Sequence, residues 1–303
     1  MADSDNRART FGTLLTAMVT PFTEDGEVDF DAAGKLAAKL VDDGCDGLVV
    51  TGTTGETSTL TDEENLGMFK AVLEAVGGRA KVIAGTGTND TRHSVSLSRR
   101  AADLGVDGLL LVTPYYNKPS QAGVQAHFET VASATDLPVM LYDIPGRTGI
   151  AVETDTILRL AEHPNIAGLK DAKADFAAVT RVLAKTDLAV YSGDDGLTLP
   201  WMAAGALGVV SVTAHVATAQ FRALVDAALA GDFATARRIH FELDPVIRGV
   251  MTRVQGAVAT KQVLKWQGVL PNSVVRLPLV EPGDAELSLI RNDLAEAGMD
   301  FAA

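Results

Sequence analysis

Basic clusters, cysteines, aromatics and long apolar runs are all scarce in this chain, and each shortage narrows what it can be. Lys and Arg together number 26 against 39 Asp and Glu, a formal net charge of −13. A nucleic-acid binder needs a basic face to displace counterions from phosphates. Arg99-Arg100 and Arg237-Arg238 are only pairs on helical stretches, so no nucleic-acid partner is expected and the acidic surplus reads as solubility. A single cysteine, Cys45, allows neither an intrachain disulfide nor a cysteine-cluster zinc site. It sits just before an apolar run and reads as a small buried hydrophobe rather than a reactive thiol. His93, His127, His163, His215 and His240 show no i, i+4 pair and no carboxylate at ligand spacing. They read as helix-surface or loop residues, and no metal is expected. No charge-free apolar run reaches the roughly 18 residues of a membrane span, and Met1-Ala2-Asp3-Ser4-Asp5 lacks the apolar segment of a signal peptide. A cytoplasmic enzyme with a disordered tail over residues 1–10 is expected.

What the chain does have is aliphatic residues. Apolar residues make up 47% and aromatics 5% of its 303 residues, with Ala, Val, Leu and Gly dominant, as suits a parallel sheet buttressed by helices. Eight short runs read as strands: Leu14–Val19, Gly47–Thr51, Val82–Gly85, Gly108–Thr113, Val139–Tyr142, Ile166–Lys170, Ala189–Ser192 and Gly208–Val212. Amphipathic stretches follow them, near 30–43, 62–76, 91–104, 120–135, 153–163, 174–186, 196–205 and 217–230. Gly44, Gly105, Gly205 and Gly231 each follow such a stretch, as C-caps do. Eight strand–helix units predict an α/β fold, a (β/α)8 TIM barrel, over residues 11–230. An open doubly wound sheet is the alternative, but no G-x-G-x-x-G opens the first helix. Past residue 231 the strands stop. Asp232–Arg248, Val250–Gln267 and Asp284–Ala297 read as a C-terminal helical appendage over 231–303.

Active-site residues of such barrels gather at the C-terminal ends of the strands. Here those ends carry Thr51-Gly52-Thr53-Thr54-Gly55-Glu56, Thr113–Pro119 with Tyr115 and Tyr116, Tyr142–Thr148 with Arg147, Lys170, and Ser192–Asp195. Lys170 is the most informative. An amine at the end of a buried strand loses hydration, which lowers its pKa and leaves some free amine near neutrality. Such an amine can attack a carbonyl and form a Schiff base. The competing reading is a structural lysine paired with Asp171 or Asp194. The glycine-flanked threonine turn could hold a carboxylate or phosphate through backbone N–H groups and hydroxyls, or be a plain turn. Tyr115 and Tyr116 alone read more readily as core or interface aromatics. Arg147 reads as a surface charge or as a fork for a substrate carboxylate.

Taken together in this order, Gly12–Phe22, Gly52–Glu56, Val112–Ser120, Leu141–Gly149, Gly168–Ala172 and Tyr191–Asp195 resemble the dihydrodipicolinate synthases, within the pyruvate-dependent lyase/aldolase superfamily of barrels. The resemblance spans about residues 11–298. It implies a Schiff-base lyase that condenses pyruvate with L-aspartate 4-semialdehyde to 4-hydroxy-tetrahydrodipicolinate, on the diaminopimelate route to lysine. It puts the Schiff-base lysine at Lys170 and the proton-relay tyrosine at Tyr142. Thr53 would link the relay, and Thr54 with the turn would hold the pyruvate carboxylate. Tyr116 would cross from the neighbouring subunit, and Arg147 would receive the aldehyde's carboxylate. Gly193 and Val210 would wall the pocket. It implies no cofactor beyond the covalent pyruvate, and a homotetramer built as a dimer of dimers.

Sialic-acid lyases and sugar-acid aldolases share the lysine, tyrosine and turn but resemble this chain less at Ile144–Thr148, where they usually lack the arginine. They rank second, and a non-catalytic barrel third. One departure concerns regulation. Asn89 and Tyr115 match the family's lysine-inhibition site, but His93 replaces its usual acidic residue, and Asp62 and Asn65 stand where histidines are usual. An ammonium ligand needs a compensating carboxylate, so feedback by lysine is expected to be weak or absent.

Overall fold

The structure, a computed structural model, describes residues 10–301; most of the expected N-terminal tail therefore lies outside the described residues. Eight parallel strands close into a barrel in sequence order. They are β1 (Leu14–Ala17), β2 (Gly47–Val50), β3 (Lys81–Gly85), β4 (Gly108–Val112), β5 (Val139–Asp143), β6 (Ile166–Asp171), β7 (Ala189–Ser192) and β8 (Gly208–Ser211). Closure pairs Leu14 with Val209 and Thr16 with Ser211. The expected strands are all present, most of them ending a residue or two from the predicted limits.

Each strand is followed by a helix: α1 (Phe30–Asp42), α2 (Asp62–Val76), α3 (Thr91–Asp103), α4 (Gln121–Ala132), α5 (Thr154–Leu160), α6 (Phe176–Lys185), α7 (Thr198–Ala203) and α8 (Ala214–Leu229). Local chemistry sets their starts. Thr61 and Glu64 close a capping box on α2, and the Ser120 hydroxyl accepts from the Gly123 N–H on α4. Gly44 and Gly231, at φ 111° and 78°, turn the chain out of α1 and α8 in conformations that a side chain resists. α8 begins three residues before its predicted start and kinks at Ala217.

The appendage is α9 (Phe233–Met251), α10 (Gly256–Trp266) and α11 (Asp284–Glu296). The second of these was expected from residue 250. It starts at Gly256 because the Gln255 side chain accepts from the N–H groups of Ala257 and Val258, at 2.6 and 3.3 Å. Every residue of α10 from Gly256 to Leu264 is buried. No described helix is long and apolar enough to cross a membrane.

Strand alternation divides the core in two. Leu14, Leu48, Val50, Leu141 and Leu169 pack outward beneath the helices. Phe11, Leu15, Val49, Ile83, Met140, Tyr142, Tyr191 and Val210 fill the barrel interior. Strand β6 breaks this rhythm once. Val139 pairs with Ile166 but Met140 pairs with Gly168, so Ala167 is an extra residue. Ile166 and Leu169 both face outward as a result. Beyond the bulge Lys170 pairs with Tyr142 and with Tyr191, both interior residues. Without the bulge, strict alternation from Ile166 would aim Lys170 at the helices.

Two histidines depart from the sequence reading. His215 is 1% exposed and His127 5%; both are core residues rather than surface ones. His215 donates from Nδ1 to the Val212 carbonyl at 2.7 Å and accepts at Nε2 from the Val19 N–H at 3.1 Å. It thereby ties the chain beyond β1 to the chain beyond β8. Cys45 is buried as expected, its Sγ 2.9 Å from the Thr16 hydroxyl, and burial pushes its pKa up to about 12.

Candidate active site

A cavity of about 270 Å³ opens at the C-terminal ends of the strands, lined among others by Gly52, Thr53, Tyr115, Tyr142 and Arg147. Tyr142, the penultimate residue of β5, is 5% exposed. Burial pushes its pKa up to about 12, opposed by the nearby Arg147 cation and by a hydrogen bond with the Thr53 side chain. The phenol is therefore a protonated donor at neutral pH, already connected to a hydroxyl.

Lys170 lies behind that ring, its Nζ 4.2 Å from the Tyr142 centroid. It is 4% exposed and forms no ion pair among the described residues, which removes the reading of a lysine paired with Asp171 or Asp194. Burial lowers its pKa to about 8; Asp195 works against that and Arg147 adds to it. The result is an amine that sheds its proton close to neutral pH, as a carbonyl nucleophile requires. Lys173 contrasts with it. Its Nζ is 3.4 Å from the Asp143 carboxylate and donates to the Val152 carbonyl at 3.2 Å.

Gly193 follows β7 and abuts the lysine stem. A Cβ there would lie 3.0 Å from Lys170 Cγ and from the Asp171 carbonyl oxygen, so a side chain would press on the lysine stem. Val210, in β8, belongs to the same interior cluster as Tyr142 and Tyr191. Asp195, 3% exposed, accepts from the N–H groups of Val212 and Thr213 at 3.2 and 2.8 Å. That fixes the β8 exit beside the amine.

The threonine turn is tight and strained. Gly55 N–H donates to the Gly52 carbonyl and Glu56 N–H to the Thr53 carbonyl. Thr51 and Glu56 bracket it at φ 51° and 55°, a region costly for side-chain-bearing residues. Gly85 admits the turn because a Cβ there would sit 2.4 Å from the Thr51 carbonyl oxygen. Thr53 reaches the cavity, whereas Thr54 is buried in the turn without lining it.

Arg147 lies on a single helical turn, Pro145–Thr148, and is exposed. Its guanidinium forms no ion pair among the described residues, so a planar fork of donors stands free at the cavity rim. Tyr116 does not join this cavity. It is 88% exposed at φ 74°, while its neighbour Tyr115 lines the wall.

Lys261 and Arg276 were not singled out from sequence, and Glu56 and Asp195, though in the named strand-end segments, were given no role. Glu56 and Lys261 form a buried ion pair, and no local signal joins residues 205 positions apart. Near the predicted inhibitor position, His93 Nε2 is 2.8 Å from Asp62, and Arg100 approaches the same carboxylate at 3.6 Å. A carboxylate is thus at hand there, but it is already engaged. The described residues hold no cluster of three His, Cys, Asp or Glu side chains able to bind a metal ion.

The family model for the dihydrodipicolinate synthetase family matches residues 10–297. A relative from Kineococcus radiotolerans, named 4-hydroxy-tetrahydrodipicolinate synthase, is 55% identical over 291 residues, 96% of this chain and 94% of its own. The crystal structure of dihydrodipicolinate synthase from Aquifex aeolicus superposes with a TM-score of 0.93 at 38% identity, covering 97% of this chain and all of that one. A structure described as the first monomeric dihydrodipicolinate synthase variant superposes with a TM-score of 0.92 at 35% identity, covering 96% and 98%.

Proposed function

The chain belongs to the dihydrodipicolinate synthetase family, and from that premise we propose that it is a lyase condensing pyruvate with L-aspartate 4-semialdehyde to 4-hydroxy-tetrahydrodipicolinate. The observation that carries this reading is the buried Lys170 amine, with its pKa drawn down to about 8 beside the Tyr142 ring. Lys170 Nζ attacks the ketone carbon of pyruvate, and loss of water leaves an iminium. That cation withdraws electrons, so the methyl group gives up a proton and becomes an enamine. The enamine carbon bonds to the aldehyde carbon of the semialdehyde, whose oxygen takes a proton. The adduct's own amine then adds to the iminium carbon and expels Lys170, closing the ring. Tyr142 carries protons in these steps, and Thr53 and Tyr116 connect it to solvent. Thr54, buried in the turn, helps its N–H groups hold the pyruvate carboxylate, and Gly193 beside the Lys170 stem and Val210 in the interior cluster take pocket-wall positions behind the cavity. The chemistry uses no cofactor other than the covalently held pyruvate.

The free Arg147 fork favours an aldehyde bearing its own carboxylate, which ranks the semialdehyde above a sugar. The discriminating assay follows pyruvate consumption with L-aspartate 4-semialdehyde, N-acetylmannosamine or glyceraldehyde. Turnover with the semialdehyde is expected. Faster consumption with either of the others would replace this reading with that of a sugar-acid aldolase.

The exposure of Tyr116 supports at least a dimer in which it enters the neighbouring subunit's site, with the tetramer as a pair of such dimers. The same reading divides the chain into a barrel over 11–230 and a helical domain over 231–303, and sets its work in the cytoplasm. It also holds lysine feedback to be weak or absent, because Asp62 is engaged by His93 and Arg100.

A further inference from the structure

The turn that carries Thr53 and Thr54 is fastened from behind by the helical appendage. Glu56 ends the turn and is 3% exposed. One of its carboxylate oxygens accepts from Lys261 Nζ, on α10, and the other from the Arg276 N–H at 3.0 Å. Lys261 also donates to the Val274 carbonyl at 2.9 Å and lies 3.9 Å from the centroid of the Phe22 ring. The Arg276 guanidinium donates to the Thr59 carbonyl at 2.9 Å and pairs with Glu64. The turn is thus held at its last residue and again just past it. None of these groups lines the cavity.

A fully buried ion pair contributes little to stability relative to apolar residues of the same shape. What it does supply is direction. A left-handed, side-chain-bearing residue persists only where its surroundings over-determine it, and two charge-assisted contacts to Glu56 do that. We infer that Lys261 and Glu56 are a positioning pair through which the appendage sets the pyruvate-carboxylate site. The inference rests on the lyase reading above. With the cation gone, the Glu56 carboxylate is left in a dry site and moves toward water, taking Thr53, Thr54 and the turn N–H groups with it. Arg147 stands on a different loop, so recognition of the aldehyde is spared.

The test uses full-length K261M, K261R and the double variant E56Q/K261M. Borohydride-trapped adduct on Lys170 is measured against pyruvate concentration, together with KM for each substrate. A misplacement of about 1 Å can cost on the order of a hundredfold, so K261M is expected to need at least about tenfold more pyruvate for half-maximal trapping. Its KM for the semialdehyde should stay within about twofold of the parent, and K261R should recover most of the loss. A merely structural role would reduce the amount of active enzyme and leave both KM values alone; that result would overturn the inference. If K261M does not unfold cooperatively, the double variant, which removes both charges together, decides by the same comparison. Absence of any adduct in the parent would overturn the lyase reading instead.

Discussion

On the proposed mechanism, Lys170 is held where its chemistry needs it and where stability does not. Its pKa falls from the ordinary 10.5 to about 8 in the folded chain, a penalty of about 3 kcal/mol at about 1.4 kcal/mol per unit. The sign follows from proton uptake. Below about pH 8 the lysine is charged both folded and unfolded, and the full penalty applies. Between 8 and 10.5 only the unfolded chain keeps the proton, so the penalty fades as pH rises. Lys170→Met should therefore unfold at a higher temperature than the parent at pH 7 while losing the reaction, with the gap closing toward pH 10. Thermal denaturation of both proteins across that range checks this. A K170M variant that is less stable at pH 7 would show that the site does not strain the amine.

At the scale of elements, His215 joins the exits of β1 and β8, and both of its nitrogens are committed to backbone groups. Accepting from Val19 requires a neutral ring, and burial drives the pKa down to about 4. The unfolded chain takes up a proton near pH 6.5 that the folded chain refuses until about 4. Stability is intact above 6.5 and lost as pH falls through that window, by up to about 3 kcal/mol for this residue. His215→Gln should start less stable at pH 7 and show a shallower loss between pH 6.5 and 4 in acid titrations of the melting temperature. An unchanged slope would mean that His215 titrates normally. The eight strands were legible because each is a short aliphatic run closed by polar residues, and several helix ends were visible as Gly44, Gly105, Gly205 and Gly231. The bulge at Ala167 was not. Alternation carries only parity, and an inserted small residue leaves no mark, yet this insertion turns Lys170 inward. The α10 start was missed because α9 runs on through Gly249 to Met251, where the glycine reads as a break, and the cap that opens α10 is a glutamine, Gln255, rather than a usual N-cap residue.

At the scale of the whole molecule, contacts between distant segments hold the site, and the proposed relay adds one between subunits. Lys261, in a helix that also carries Thr260, Gln262 and Lys265, could not be matched from sequence to Glu56. Tyr116 drew notice through resemblance, and its exposure at φ 74° fits a residue that meets another chain. Tyr116→Phe should lower kcat by about ten- to a hundredfold, the scale of a lost proton-relay member, while sedimentation still reports a dimer or larger. Full activity in Y116F, or a monomer at working concentration that is as active as the parent, would remove the cross-subunit relay. Lysine at submillimolar concentration should leave the rate unchanged, because the carboxylate beside His93 is already engaged; a clear fall in rate would show that Asp62 can be recruited. The measurement that reaches the central claim most directly is peptide mass spectrometry after borohydride reduction in the presence of pyruvate. One reduced pyruvyl group on Lys170, forming faster as pH rises toward about 8 and absent from the ion-paired Lys173, is the expected result. Label on Lys173 or elsewhere with Lys170 unmodified would contradict it.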